Sequence, residues 1–128
     1  MADPVEVVAA VIACEGRYLI TRRLAGTHLA GLWEFPGGKM LPGEKPQDAL
    51  ARELTEELGV DAAVGELIET VDWAYPEKTV RLSFFWCTLE GEPTPLQSQE
   101  MRWVAAADLP AYSFPDADAT LIARLSRR

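Results

Sequence analysis

Residues 46–58, PQDALARELTEEL, restrict what this chain can become more than any other stretch. Pro46 sits where a missing N–H does no harm, in the first turn of a helix, and Gly59 follows where a left-handed stop is wanted. At about 100° per residue, Leu50, Leu54 and Leu58 fall into one stripe, which needs an apolar layer to lie on. The adjacent arc carries Glu53, Glu56 and Glu57, within about 100° of one another, with the small Ala49 one turn before Glu53. As a purely structural helix this is poorly made. Like charges three and four residues apart cost a few tenths of a kcal/mol per pair. Glu56 and Glu57 also stand in the last turn, where the helix dipole favours cations. Arg52 offsets part of the repulsion through Glu56, but one arginine does not balance three glutamates. An acidic solvated face would have a similar composition. Carboxylates converging beside an apolar stripe suit a hard divalent cation better, because such ions take oxygen ligands.

The rest of the chain supplies the layer. Val5–Cys14, VEVVAAVIAC, is a continuous apolar run rich in β-branched residues and reads as a buried strand. Glu15-Gly16 is a turn and Arg17–Arg23 its hairpin partner. Residues 24–31 read as a loop, Leu32–Phe35 as a short extended piece, and Pro36-Gly37-Gly38 as a break in regular structure. Ala62–Tyr75 and Thr79–Leu89 read as two strands joined at Pro76-Glu77-Lys78. Residues 90–99 form a polar loop and Met101–Val104 a short strand. A C-terminal helix over 118–127 turns Leu121, Ile122 and Leu125 inward. Strands on both sides of one central helix, with a second helix at the end, predict an α/β domain with a mixed sheet. No repeat or linker divides it, so residues 1–128 are expected to form one domain.

Composition narrows the partners. A formal net charge of −8 is unsuited to duplex nucleic acid, which calls for a basic face. A phosphorylated small molecule remains accessible if divalent cations mediate the contact. Nothing approaches the roughly 20 apolar residues needed to span a bilayer, and no signal peptide is read, so a cytoplasmic protein is expected. Cys14 and Cys87 are expected to be buried free thiols. Two cysteines and one histidine make no zinc site.

Gly37-Gly38-Lys39 precedes the helix at short range. Adjacent glycines let a backbone approach a ligand closely, and Lys39 is placed to meet phosphate. From Gly38 to Val60 the chain reads GKMLPGEKPQDALARELTEELGV. With Gly38, Glu44, Arg52, Glu53, Leu54, Glu56, Glu57, Gly59 and Val60 at their fixed spacings, this segment resembles the complete Nudix box. The segments TRRLAGTHLAGLWEFPGGK and FPDADATLIARL are similar to the MutT-like branch, which hydrolyses nucleoside triphosphates. The resemblance frames the chain from about Val5 to Leu125.

The resemblance implies the Nudix fold, a mixed β-sheet sandwiched between α-helices. It implies that Glu53, Glu56 and Glu57 bind Mg²⁺, with Mn²⁺ able to substitute, and that the Gly37 carbonyl joins them. Arg52 would orient Glu53 or its neighbours, and Glu44 would brace the loop. A further glutamate from a later loop is a feature of the branch, and Glu100 fits that place. The general base is Glu53 first and Glu100 second. For the substrate, the resemblance points to Arg23, His28, Glu34, Phe35, Pro36, Gly37, Gly38, Lys39 and Tyr75, with Asp118 at the base-binding corner. An ionised Asp118 accepts hydrogen bonds, so it suits N1–H and N2–H₂ of an oxidised guanine, or an amino group of cytosine or adenine. Its structural alternative is a helix N-cap.

The implied reaction is water attack on a nucleoside triphosphate to give monophosphate and pyrophosphate. The favoured substrate is 8-oxo-dGTP, in a role that clears the nucleotide pool of mutagenic precursors for replication and repair. CTP, dCTP or a broad range of nucleoside triphosphates is the alternative. For ADP-ribose or dinucleoside polyphosphates, neither the extra N-terminal element nor the added recognition motifs are seen. A non-catalytic nucleotide-binding Nudix module is the most different reading, and the intact box argues against it. A monomer is expected.

Overall fold

The computed structural model describes residues 3–127; Met1, Ala2 and Arg128, at the ends of the expected 1–128 domain, lie outside the described residues. Strand β1 (Val5–Cys14) is the axis of the molecule. Its residues from Val8 to Ile12 are buried on both faces, which explains why the run is apolar without alternation. Ala9 and Val11 face one core with Phe84, Leu121 and Leu125. Val8, Ala10 and Ile12 face the other with Leu50, Leu54 and Leu58.

β1 pairs along one edge with β6 (Thr79–Leu89), in parallel from Val5↔Val80 to Ile12↔Cys87. β6 pairs antiparallel with β5 (Ala62–Ala74). The opposite edge of β1 is divided: β4 (Gly37–Lys39) pairs antiparallel with Val7–Ala9, and β2 (Arg17–Arg22) with Ala13 and Cys14. β2 carries β3 (Trp33–Glu34) and β7 (Met101–Ala105) as further antiparallel neighbours. The result is a seven-stranded mixed sheet. Helix α1 (Pro46–Leu58) covers one face, and helix α2 (Ala119–Ser126) with the 3₁₀ turn Ala106–Ala111 covers the other. Among the described residues no helix is long and apolar enough to cross a membrane.

The helix limits follow from the residues named above. Pro46 is in the first turn, and Gly59 adopts φ 63°, ψ 30° while its N–H donates to the Thr55 carbonyl. Two expectations are corrected. Pro36-Gly37-Gly38 does not simply break structure, because Gly37 and Gly38 belong to β4. A Cβ on Gly37 would lie 1.9 Å from the Val8 carbonyl oxygen, so absence of a side chain is what lets this strand close on β1. Cys14 is exposed rather than buried, since it stands at the end of β1 beside the Glu15-Gly16 turn, beyond the cover of either helix; Cys87 is buried, and both thiols are free.

Candidate active site

A cleft of about 430 Å³ opens where β4, the second half of α1, the loop after β2 and the β5–β6 turn meet. Its apolar floor comes from β1 and β6, through Val8, Ala9, Val80 and Leu82. One wall is acidic. Glu53 and Glu57 project there from α1, and Glu34 joins them from β3. Asp118 closes the far end.

Glu57 is the most unusual group. Only 8% of the residue is exposed, and its Oε2 has no hydrogen-bond partner among the described residues. Burial, with the charges of Glu34 and Glu53 close by, pushes its carboxyl up to about 9. Gln99 packs against the same turn, with its amide donating to the Glu57 carbonyl at 3.3 Å. Glu53 is held from two sides. Arg52 Nη1 donates to its Oε1 at 3.0 Å, and a Cβ on Gly38 would come within 2.5 Å of its carboxylate. Gly38 is thus a cradle for Glu53.

Arg52 organises the acidic helix from outside the cleft. Its fork meets both Glu44 oxygens, Nε at 2.8 Å and Nη2 at 3.0 Å, and Nη1 also reaches Glu56 at 3.3 Å. Nη2 bonds the Lys39 carbonyl at 3.2 Å, tying α1 to β4. Glu44 in turn accepts the Leu41 N–H at 2.9 Å, and the Arg52 bonds hold its carboxyl down at about 2. A permanently ionised Glu44 therefore braces the loop, and Arg52 spans Glu44, Glu53 and Glu56.

At the Glu34 end of this wall, Arg23 donates to Glu34 at 2.7 Å and to the His28 carbonyl. His28 Nδ1 lies 3.1 Å from Glu77 on the β5–β6 turn, and its ring meets Tyr75 edge to face at 4.8 Å. Phe35 lines the cleft while only 2% exposed, stacked on Phe114 at 5.4 Å. Asp118 is 3% exposed, and burial followed by the Glu34 charge pushes it up to about 7. It occupies the N-cap of α2 but its side chain makes no capping bond, which leaves the carboxyl to the cleft.

Of the residues read from sequence, the fold brings Arg23, His28, Glu34, Phe35, Gly37, Gly38, Lys39, Glu53, Glu57, Tyr75 and Asp118 to one cleft. It does not bring Pro36, Arg52, Glu56 and Glu100 to its wall. The Pro36 carbonyl accepts the Ala10 N–H at 2.7 Å and is spent on the sheet. Glu56 is half exposed on Arg52. Glu100 pairs with Arg22 at 3.0 Å and Arg102 at 3.7 Å. Sequence reasoning missed Gln97, Gln99, Lys78 and Pro115. Lys78 and Pro115 each lie within three residues of a residue singled out, Tyr75 and Asp118; nothing marked the two glutamines among other polar loop residues.

The residues fit a hard divalent cation by the chemistry of their donors. Glu53 and Glu57 offer oxygens only, and the partnerless Glu57 Oε2 is a buried acceptor awaiting a positive partner. Three or more ligating side chains are not already gathered around one point among the described residues, so a cation would draw them together.

A NUDIX domain model matches residues 7–124. The chain is 44% identical over 124 residues to the 8-oxo-dGTP diphosphatase of Haemophilus influenzae, covering 94% of this chain and 90% of that protein. It is 36% identical over 123 residues to the CTP pyrophosphohydrolase of Escherichia coli, covering 92% and 88%. Among solved structures, a MutT protein from Methanosarcina mazei Go1 superposes with a TM-score of 0.87 at 27% identity, covering 99% of this chain and 96% of that one.

Proposed function

The chain belongs to the Nudix family, and on that premise we propose that it is a Mg²⁺-dependent hydrolase cutting nucleoside triphosphates, 8-oxo-dGTP first, to monophosphate and pyrophosphate. The observation that carries this reading is the buried Glu57 carboxyl, whose Oε2 has no hydrogen-bond partner among the described residues, beside Glu53 and Glu34 in a nucleotide-sized cleft. Such a cluster costs stability unless a cation and a phosphate chain complete it.

Bound Mg²⁺, or Mn²⁺ in its place, would neutralise the phosphate oxygens and make water a better nucleophile. Glu53 and Glu57, with the Gly37 carbonyl, would hold it, and Glu56 would join by a rotation away from Arg52. Arg52 fixes Glu53 by its bond to Oε1, which supports Glu53 as the base that takes the proton of the attacking water. Glu100 would serve as a ligand or second base only after leaving Arg22 and Arg102. Lys39 and Arg23, both lining the cleft, supply positive charge for the phosphates. Tyr75 offers aromatic surface to the base, with Phe35 packed in the core behind the cleft lining.

Asp118 carries base choice. Ionised, it accepts the N1–H and N2–H₂ of an oxidised guanine. Protonated, it also donates, which suits cytosine. The likeness to a CTP pyrophosphohydrolase together with the position of Asp118 near neutrality supports CTP or dCTP as the second reading. A net charge of −8 supports a small nucleotide over a duplex as partner. Two free cysteines support a reducing, cytoplasmic setting, and the size of the chain supports a single-domain monomer.

The test is a product analysis. Incubated with Mg²⁺ and a panel of 8-oxo-dGTP, dGTP, dCTP, CTP and ADP-ribose, the protein is expected to turn 8-oxo-dGTP into monophosphate and pyrophosphate with the highest kcat/KM. Binding of nucleotides without turnover of any panel member would replace this proposal by a binding module. Preference for CTP or dCTP would select the second reading.

A further inference from the structure

Two segments meet across the mouth of the cleft. One is the loop after β2, which carries Arg23 and His28; the other is the tight turn between β5 and β6. That turn is closed by mutual bonds between Tyr75 and Lys78, the Tyr75 N–H donating at 2.7 Å and the Lys78 N–H at 3.3 Å. Pro76 and Glu77 form its tip. Glu77 is otherwise an ordinary exposed turn residue, yet its Oε1 stands 3.1 Å from His28 Nδ1. Tyr75 from the same turn packs edge to face on the same imidazole. His28 is linked onward, because its carbonyl accepts from Arg23, which in turn pairs with Glu34. A continuous set of contacts thus runs from the hairpin tip through His28 and Arg23 to the acidic wall.

The chemistry of the contact decides the state of the ring. An ionised carboxylate only accepts, so the 3.1 Å contact requires the hydrogen on Nδ1. The other nitrogen, Nε2, is buried and has no hydrogen-bond partner among the described residues. Burial lowers the imidazole below its ordinary pKa; Lys78, Arg23 and Lys39 act in the same direction, and Glu77 opposes them. A second proton on Nε2 is therefore disfavoured near neutrality, and Nε2 keeps a free lone pair.

We propose that Glu77 is a positioning residue for nucleotide binding, holding His28 in the Nδ1–H tautomer so that Nε2 accepts a hydroxyl or N–H of the bound nucleotide. A phosphate oxygen, which only accepts, does not suit this nitrogen. The inference rests on the reading of the cleft as a nucleotide site, but its structural half does not depend on turnover. Glu77 touches no reacting atom and acts through His28.

His28 is the only histidine of the chain, so one imidazole accounts for every signal in a ¹⁵N-histidine spectrum. In protein freed of any histidine tag, near neutral pH, the spectrum is expected to show Nδ1 protonated and Nε2 bare. Glu77→Ala is expected to mix the two tautomers and to raise KM for the preferred triphosphate about tenfold, with kcat within about twofold. Glu77→Gln keeps an oxygen that accepts from Nδ1–H, and is expected to restore both the single tautomer and the KM. An unchanged tautomer and KM in Glu77→Ala would overturn the proposal. So would a Glu77→Gln variant that behaves like Glu77→Ala, since the pair would then act through charge on an imidazolium. If the wild-type protein hydrolyses no nucleotide, the functional reading fails while the spectra of the three proteins still decide the tautomer.

Discussion

At the scale of single residues, Glu57 and the two glycines of β4 carry the sharpest consequences. The Glu57 carboxyl in the fold sits near 9, against 4.5 for an unperturbed glutamate. Between those values the folded state holds more protons than the unfolded one, so metal-free stability falls as pH rises through that window. Glu57→Gln removes the group that titrates. Its melting temperature without metal should match wild type near the acid end of the window and exceed it increasingly toward the alkaline end. A difference that does not grow with pH would contradict the assignment. The same variant should lose roughly 100-fold or more in turnover, the scale seen when a group that holds charge in the transition state is removed. The glycines separate cleanly. Gly38→Ala places a methyl 2.5 Å from the Glu53 carboxyl, a side chain that can swing away, whereas Gly37→Ala meets the Val8 carbonyl of β1 at 1.9 Å. Gly38→Ala should therefore keep its stability and lose activity. Gly37→Ala should lose about 1–3 kcal/mol or more in denaturant unfolding, the usual cost of forcing extra volume into packed structure.

At the scale of elements, α1 is a helix whose leucine stripe pulls it onto the sheet while its carboxylates oppose one another. The last turn contains no basic residue. Arg52 is what makes the arrangement tolerable, because its planar fork reaches Glu44, Glu53 and Glu56 together. Lysine keeps the charge but cannot reproduce the fork. Arg52→Lys is expected to leave the melting temperature within a few degrees and to cut kcat/KM about 10- to 100-fold, as loss of groups that orient metal ligands does. Equal wild-type kinetics would remove Arg52 from the site. The helix was legible in the sequence because Pro46, Gly59 and the Leu50–Leu54–Leu58 stripe are local signals that agree. β4 was not legible. Its residues look like loop residues, and they become a strand only because β1 offers an open edge and Gly37 has no side chain to prevent contact. Exposure of Cys14 was hidden for a similar reason, since an apolar strand can outrun the helices that cover it.

At the scale of the whole molecule, two cores separated by one sheet place α1 and α2 on opposite faces, and the cleft lies where loops from several strands converge. Glu53 and Glu57 of the acidic wall could be read from sequence because they share one helix at fixed spacing. The rest of the candidate site could not be read to the same depth. Gln99 reaches Glu57 from 42 positions away, Glu77 reaches His28 across the cleft, and Asp118 is turned inward by a 3₁₀ turn that precedes α2. Such meetings depend on tertiary packing and leave no local periodicity. In the proposed reaction the Glu57 carboxyl, protonated in the metal-free fold, becomes a cation ligand. Metal binding must then expel its proton. The direct measurement is proton release, read with a pH indicator in weak buffer near neutral pH, on adding saturating Mg²⁺ to metal-free protein. Release of about one proton per chain is expected in wild type and little in Glu57→Gln. Equal release in the two proteins, or none in wild type, would contradict this role for Glu57.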